Sequence, residues 1–254
     1  MDLYASPMNV RGPEECHFYH SINLPSYGEI PGGWDLRPIV DKYIGEVDVS
    51  GLRVLDMGAA TGFMTFEMER RGAEVVSFEI DKGENWDLVP HYKKRDELKQ
   101  LRSGANHGTL ALKRGYWLCH KDLGSKAKAF YGNIYNLPKE LGDFDLVFYG
   151  MILTHLRDPF QALYSGARLS RDRVVVTGIF SADTKPVAVF RPNPELNAQN
   201  ELRSWWLLSI GTVRNMLGVL GFEVERIVEF DAEILQADRK GMKRCQAVVA
   251  RRPR

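Results

Sequence analysis

The stretch Val54-Leu55-Asp56-Met57-Gly58-Ala59-Ala60-Thr61-Gly62 is an apolar run ending in an acid and a turn of small residues. Glu79 closes the next apolar run, Val75-Val76-Ser77-Phe78. A turn of that composition lets backbone approach a ligand closely and then launches a helix. A carboxylate about 20 residues on, at a neighbouring strand tip, can accept hydrogen bonds from both hydroxyls of a ribose. The pair points to an open α/β sheet that holds a nucleoside-bearing cofactor.

The details of the turn separate the candidate cofactors. Its spacing is Gly58-x-x-x-Gly62 behind Asp56, not the G-x-G-x-x-G that seats a pyrophosphate on a helix N-terminus. S-adenosylmethionine (SAM) has no phosphate, and an acid ahead of the first glycine suits a cationic ligand better than a pyrophosphate. The spacing therefore favours SAM over another nucleotide or a purely structural turn.

Short apolar runs alternate with helix-length segments, as in a mostly parallel sheet covered on both faces. Candidate strands are 52–57, 74–80, 127–131, 144–150, 173–179, 222–229 and 244–251, seven in all. The last two flank Asp231 to Gly241 and are expected to pair antiparallel at the sheet edge. A helix is expected over 37–44, where Leu36, Ile39, Val40 and Tyr43 recur at helical spacing. Another is expected over 211–220.

Three segments lie outside this frame. An N-terminal arm, 1–36, is rich in Pro, Gly and aromatics and reads as a lid or docking segment ahead of the main domain, 37–254, with Gly32-Gly33 as a hinge. An insertion, 82–126, is far longer than the usual connection. Counted to the next strand, 82 to 128, it holds eleven Lys and Arg against five Asp and Glu, a net +6, with Trp86, Tyr92, Tyr116 and Trp117 interleaved. It reads either as an RNA grip through phosphates and stacked bases or as two helices, solvated Lys93 to Leu101 and sheet-packing Thr109 to Leu123. The third segment, 181–206, is a proline-rich substrate-side loop ending in Trp205-Trp206, which could roof an apolar pocket or be core.

Candidates for chemistry gather at the strand ends. Gly150 and Met151 end the buried run from Phe144, at the edge where ligands sit in open α/β sheets, and would lie near the cofactor's amino acid or sulfonium. His155 follows, either a general base or a helix-start histidine bonded to backbone. Asn133-Ile134 can take the adenine edge and ring face, or Asn133 can satisfy its own turn. Ile80 beside Glu79 joins the cofactor set, as do Ala59 and Ala60. From the arm, Tyr19 and His20 are candidate catalytic groups and Trp34 and Arg37 candidate cofactor contacts. Arg37 would pair with a carboxylate or form a surface ion pair.

The remaining composition sets limits. With 254 residues, 44% hydrophobic and 26% charged, the chain can bury a full core. A net charge of +1 gives no global pull toward nucleic acid or an anionic membrane. No leader-like or membrane-spanning run is seen, so a cytoplasmic protein without a membrane partner is expected. Cys16, Cys119 and Cys245 fit reduced thiols, and Cys16-His17 and Cys119-His120 lack zinc-type spacing, so no metal is expected.

Val54 to Gly62, Phe78 to Asp81, Gly132 to Tyr135 and Phe144 to Asp158 together resemble class I SAM-dependent methyltransferases. Tyr19 to Ile22, Pro31 to Pro38, Phe66 to Ala73, Leu141 to Asp145 and Ser204 to Trp206 resemble methyltransferases similar to the bacterial tRNA wobble-uridine modifying enzyme. The resemblance implies a seven-stranded, Rossmann-like class I sheet with an antiparallel edge strand. It also implies a cofactor turn of Asp56, Gly58 and Gly62, ribose binding by Glu79 and adenine contacts from Asn133 and Ile134. The chain departs from the class in carrying Asn133 where an acid is common, and a turn less dense in glycine.

The expected activity is SAM-dependent methyl transfer to a hydroxyl or amine of a small molecule, such as a specialised metabolite, sugar or lipid-like acceptor. The runner-up is tRNA or RNA wobble-uridine methylation or carboxymethylation. A third reading is a SAM-binding cyclase or regulator that transfers no methyl group.

Overall fold

A computed structural model describes residues 2–89, 95–192, 203–235 and 240–253. In chain order the elements begin with a hairpin, β1 (Ile22–Leu24) and β2 (Gly28–Ile30), then β3 (Trp34–Asp35) and the short α1 (Val40–Tyr43). The core follows as β4 (Arg53–Met57), α2 (Phe63–Arg70), β5 (Glu74–Ile80), α3 (Arg95–Asp122), β6 (Lys128–Gly132) and β7 (Phe144–Gly150). After it come α4 (Pro159–Ala167), β8 (Ser170–Gly178), β9 (Ala188–Phe190), β10 (Trp206–Leu208), α5 (Ile210–Val219), β11 (Glu223–Ile234) and β12 (Gly241–Arg251).

All seven expected strands form, and they lie in one sheet of order β3-β11-β12-β8-β7-β4-β5-β6. The five from β8 to β6 are parallel. β12 runs antiparallel to β8, β11 to β12 and β3 to β11. The sheet thus has eight strands rather than seven. The extra edge strand is the end of the arm, where Trp34 and Asp35 pair with Ile234 and Glu233.

Alternation along the strands builds two cores. Val54, Leu146, Phe148, Val175 and Val249 point to one face with Phe63, Phe66 and Tyr116 from α2 and α3. Leu55, Val147, Val174, Val176 and Val248 point to the other, against Leu163 of α4 and Val213 and Leu217 of α5. Period-two burial on both faces is what a helix-covered sheet requires.

Two expectations are corrected. The insertion carries one helix of 28 residues, α3, instead of two; the expected start at Lys93, with Lys94 and Tyr92, lies outside the described residues. Gly104 and Gly108 do not break it because both face open space, and a solvent-side glycine costs only about 1 kcal/mol against alanine. The expected helix over 37–44 is a 3-10 turn, Arg37–Ile39, followed by α1, Pro38 standing at the start of the turn.

The arm is built into the core rather than laid over it. Val10, Ile22, Leu24 and Leu36 are buried. The His17 N–H donates to the Ala111 carbonyl (3.1 Å) and the Ser26 N–H to Asp122 Oδ2 (3.0 Å), both on α3. A Cβ at Gly32 would fall 2.2 Å from the His20 carbonyl carbon, so the proposed hinge is a packed contact. In the 181–206 loop, residues 193–202 lie outside the described residues, and β9 and β10 pair antiparallel on either side.

Candidate active site

The strand order reverses between β4 and β7, and the carboxyl ends of the strands beside this switch point form the natural ligand crevice. The β4 turn is shaped by its dihedrals: Gly58 has φ +84, Ala60 φ +51 and Gly62 φ +85. Met151, just after β7, also has φ +55. Two non-glycine residues in the left-handed region therefore face one crevice, each at a cost of order 1 kcal/mol. The Gly58 and Ala59 N–H groups both donate to the Phe78 carbonyl (3.0 Å), tying the turn to β5, and the Met151 N–H donates to the Thr177 carbonyl (2.8 Å).

Glu79 sits at the tip of β5 and reaches back to the turn. Its Oε2 accepts from the Ala60 N–H and its Oε1 from the Ile80 N–H, both at 2.9 Å. Burial pushes its pKa up, opposed by those two N–H groups and by Lys113. An ionised carboxylate has about four acceptor sites, so capacity for two hydroxyls remains. Neighbouring Ile80 is half-buried and Ile134 is buried against Phe78. Small left-handed turn residues, a strand-tip carboxylate with spare acceptor capacity and apolar neighbours fit an adenosyl ligand.

Other candidates take different places. Asp56, 2% exposed, accepts from the Thr65 hydroxyl (2.5 Å) and so ties β4 to α2. Burial pushes its pKa up to about 7, the Thr65 hydrogen bond opposing and Glu79 adding to the rise. Asn133 Oδ1 accepts from the Tyr135 N–H (2.9 Å), which closes its own turn and leaves the side chain exposed. Arg37 is held by Asp35, Glu29 and Asn23 at 2.7 to 3.0 Å, within the arm. That matches the ion-pair alternative, with the guanidinium engaged by three partners of the arm.

His20 is 8% exposed, with Nδ1 buried and unpartnered and its ring 4.9 Å from Tyr19 and 6.0 Å from Phe63, the first residue of α2. Burial drives its pKa down to about 4. Trp34 pairs in the edge strand and packs against the same core as Met151.

His155 lies in the 3-10 turn after β7. Its Nδ1 contacts the Arg203 carbonyl. A carbonyl only accepts, so Nδ1 carries the hydrogen and Nε2 keeps a lone pair. The residue is exposed to solvent, and the protein beside the ring lowers its pKa from the ordinary histidine value.

A polar network not foreseen from sequence bridges the crevice. Asp87, from the start of the insertion, accepts from the Tyr135 hydroxyl and from the Arg157 N–H (2.8 Å). The Asp87 carbonyl accepts from Trp205 Nε1 (2.6 Å), and Arg203 stacks over Trp86 with its guanidinium carbon 4.2 Å from the ring centroid. Trp205 is 8% exposed and Trp206 half-exposed, its Nε1 donating to the Arg157 carbonyl (3.0 Å). One tryptophan of the pair therefore packs inward.

Lys113 was also missed. It is 8% exposed, its ammonium donating to the Asp81 carbonyl and standing 3.9 Å from the Tyr131 ring centroid. One signal was available: on a helix Lys113 falls between Thr109 and Tyr116-Trp117, on the buried stripe. Two surface cavities, of about 440 and 460 Å³, open elsewhere, one between Tyr135, Pro138 and Arg168 and the other between Arg37, Phe66 and Arg71. Neither is lined by Gly58, Glu79 or Gly150.

No protein-family model matches the chain, and no curated protein matches it. Solved structures match over most of its length. The N-terminal domain of EvdMO1, in the presence of S-adenosylhomocysteine (SAH) and D-fucose, is 18% identical with a TM-score of 0.54, covering 95% of this chain and 93% of that one. Magnesium protoporphyrin IX methyltransferase from Synechocystis, with bound SAM, is 16% identical with a TM-score of 0.51, covering 86% and 78%. A candidate RNA methyltransferase from Pyrococcus horikoshii is 16% identical with a TM-score of 0.51, covering 85% and 84%. The fold is the Rossmann-like fold of class I SAM-dependent methyltransferases. Among the described residues no helix is long and apolar enough to cross a membrane.

Proposed function

We propose that the chain is a SAM-dependent methyltransferase acting on a hydroxyl or amine of a small-molecule acceptor. The observation that carries the reading is Glu79 bonded across to Ala60, which sets a strand-tip carboxylate beside a left-handed turn at the switch point, where it would bind a ribose. SAM, when bound, supplies an activated methyl group. The protein's task is then alignment, exclusion of water and movement of one proton.

Each part of that task has a group at hand. Glu79 fixes the nucleoside, and the Gly58 to Gly62 turn and Met151 border the amino acid end. Asp87, Tyr135 and Trp205 close the crevice mouth through the network described above. His155, whose Nε2 keeps a lone pair, is the group we assign to take the acceptor's proton.

A small acceptor is favoured over RNA by the net charge of only +1 on the whole chain; of the insertion's cations Lys113 is turned inward, to Asp81 and Tyr131, while Lys99, Arg102, Lys121 and Lys126 are exposed. Two of the three structures described above were solved with, or carry the name of, a sugar or a porphyrin.

Isothermal titration with SAM, SAH and NAD, together with mass spectrometry of any co-purified ligand, tests the cofactor. Selective binding of the two adenosyl-sulfur ligands is expected, and binding of NAD alone overturns the reading. For the acceptor, SAH formation is screened against small hydroxyl and amine compounds and against tRNA. Turnover with tRNA alone, coupled to steeply salt-dependent binding, transfers the assignment to RNA.

A further inference from the structure

We infer that Lys113, contributed by the inserted helix α3, is a positioning residue of the ribose subsite, its ammonium keeping the Glu79 carboxylate charged and aimed at the cofactor's two ribose hydroxyls. This rests on the cofactor reading above. The placement comes from three elements. β5 and β6 pair with Glu79 opposite Tyr131, and α3 lays Lys113 over both strand tips, on the Tyr131 ring face and the Asp81 carbonyl.

Lys113 is only 8% exposed as a residue, and an ammonium drawn even partly out of water loses hydration that acceptors and an opposite charge must replace. One backbone carbonyl and one ring face are thin compensation. Glu79 and Asp81 supply the rest, both acting to keep Lys113 protonated against the burial that lowers its pKa. The benefit is mutual, because burial pushes Glu79 toward its neutral form and Lys113 opposes that.

Protonation of Glu79 would matter directly. A neutral carboxyl turns one acceptor oxygen into a donor, so it cannot receive two hydroxyl hydrogens as well as the Ala60 and Ile80 N–H groups. Among the described residues, the charged and titratable groups that interact with Glu79 are Lys113 from α3, Asp56 from β4 and Tyr131 from β6, with Asp81 two residues on, just past the end of β5. Among the described residues, Lys113 is the cation of this group. The insertion thus completes a subsite that β4 and β5 alone leave short of positive charge.

The test uses the full chain and two readouts. The first is the titration of the Glu79 carboxyl carbon by NMR with selectively labelled glutamate, in wild type, Lys113→Met, Lys113→Gln and Lys113→Arg, without ligand. Assignment comes from Glu79→Gln. The midpoint is expected to rise by about one unit or more in the Met and Gln variants and to stay near wild type in the Arg variant. Gln can still donate to the Asp81 carbonyl, so it isolates the charge and serves if the Met variant does not fold.

The second readout is SAH affinity between pH 6 and 9. Each unit of Glu79 shift corresponds to about tenfold in the fraction ionised at low pH. Lys113→Gln is therefore expected to weaken SAH progressively more toward the acid end and little at pH 9, a pH dependence that a packing role would not produce. An unmoved Glu79 midpoint overturns the inference. So does a moved midpoint with an SAH profile parallel to wild type. Wild-type protein that binds no SAH overturns the cofactor reading and the ribose role with it, whereas the ligand-free titration still decides the Lys113–Glu79 pairing.

Discussion

The Ile152 side chain stands over Gly58 so closely that a Cβ on the glycine would fall 2.6 Å from Ile152 Cδ1. This contact joins the β4 turn to the loop leaving β7, the two strands between which the sheet order reverses. Gly58 also has φ +84, so the backbone conformation favours glycine there, and any side chain would in addition have to displace the Ile152 tip. The crevice floor is consequently a fitted joint between two loops.

Gly58→Ala is expected to cost about 1–2 kcal/mol from the left-handed backbone, with the displacement of Ile152 in addition. SAH affinity should fall at least tenfold, because the turn that borders the ligand must shift. Urea unfolding and isothermal titration check the two effects separately. Unchanged affinity in a folded variant would show that the β4 turn does not touch the cofactor.

Much of this joint was legible in advance, and the reason is local. Val54 to Gly62 and Val75 to Glu79 carry strand, turn and acid within a few residues, so spacing alone places them. The seven long strands were legible for the same reason. What escaped depends on tertiary partners. β3 has two residues, and only its pairing with Glu233 and Ile234 makes it a strand. Arg37 and Asn133 have the right chemistry for a cofactor, but their nearest partners, Asp35 and the Tyr135 N–H, claim them first. Gly104 and Gly108 look like helix breaks because sequence does not say that they face solvent. Lys113 was hidden in a charge count.

The Asp87 carboxylate, only 9% exposed, serves the Tyr135 hydroxyl and the Arg157 N–H. Asp87→Ala leaves both donors without that acceptor, at about 1–3 kcal/mol for each that stays buried. The Arg157 amide, and the Asp158 amide that donates to the Tyr135 hydroxyl (3.2 Å), should then exchange hydrogen faster than in wild type. Exchange rates identical to wild type would show that the bridge does not hold the mouth closed.

His155 has a lowered pKa and a lone pair on Nε2, so it is neutral and able to accept a proton at pH 7. His155→Ala is expected to slow methyl transfer about 100-fold, within the usual range for a general base, and to leave SAM affinity unchanged. The wild-type rate should fall with acid only below the ordinary histidine range, since the folded ring protonates late. Equal rates for variant and wild type on an accepted substrate would remove His155 from the chemistry.

His20 and Asp56 titrate in opposite senses across one pH window. The His20 pKa is lowered from 6.5 to about 4, so the unfolded chain binds its proton first. The stability this group contributes is present above pH 6.5 and lost as pH falls toward 4, on the order of 3 kcal/mol for that shift. The Asp56 pKa is raised from 3.8 to about 7. Its contribution is present below pH 3.8 and lost as pH rises through 7, with a similar order of magnitude. Between pH 4 and 6.5 the two slopes oppose, and each variant should expose the other. In urea unfolding, His20→Phe is expected to lose stability relative to wild type as pH rises through this window. The Phe ring also replaces a histidine whose Nδ1 has no partner to lose. Asp56→Asn should lose stability relative to wild type as pH falls. Curves parallel to wild type for both variants would mean that neither group is held in its neutral form by the fold.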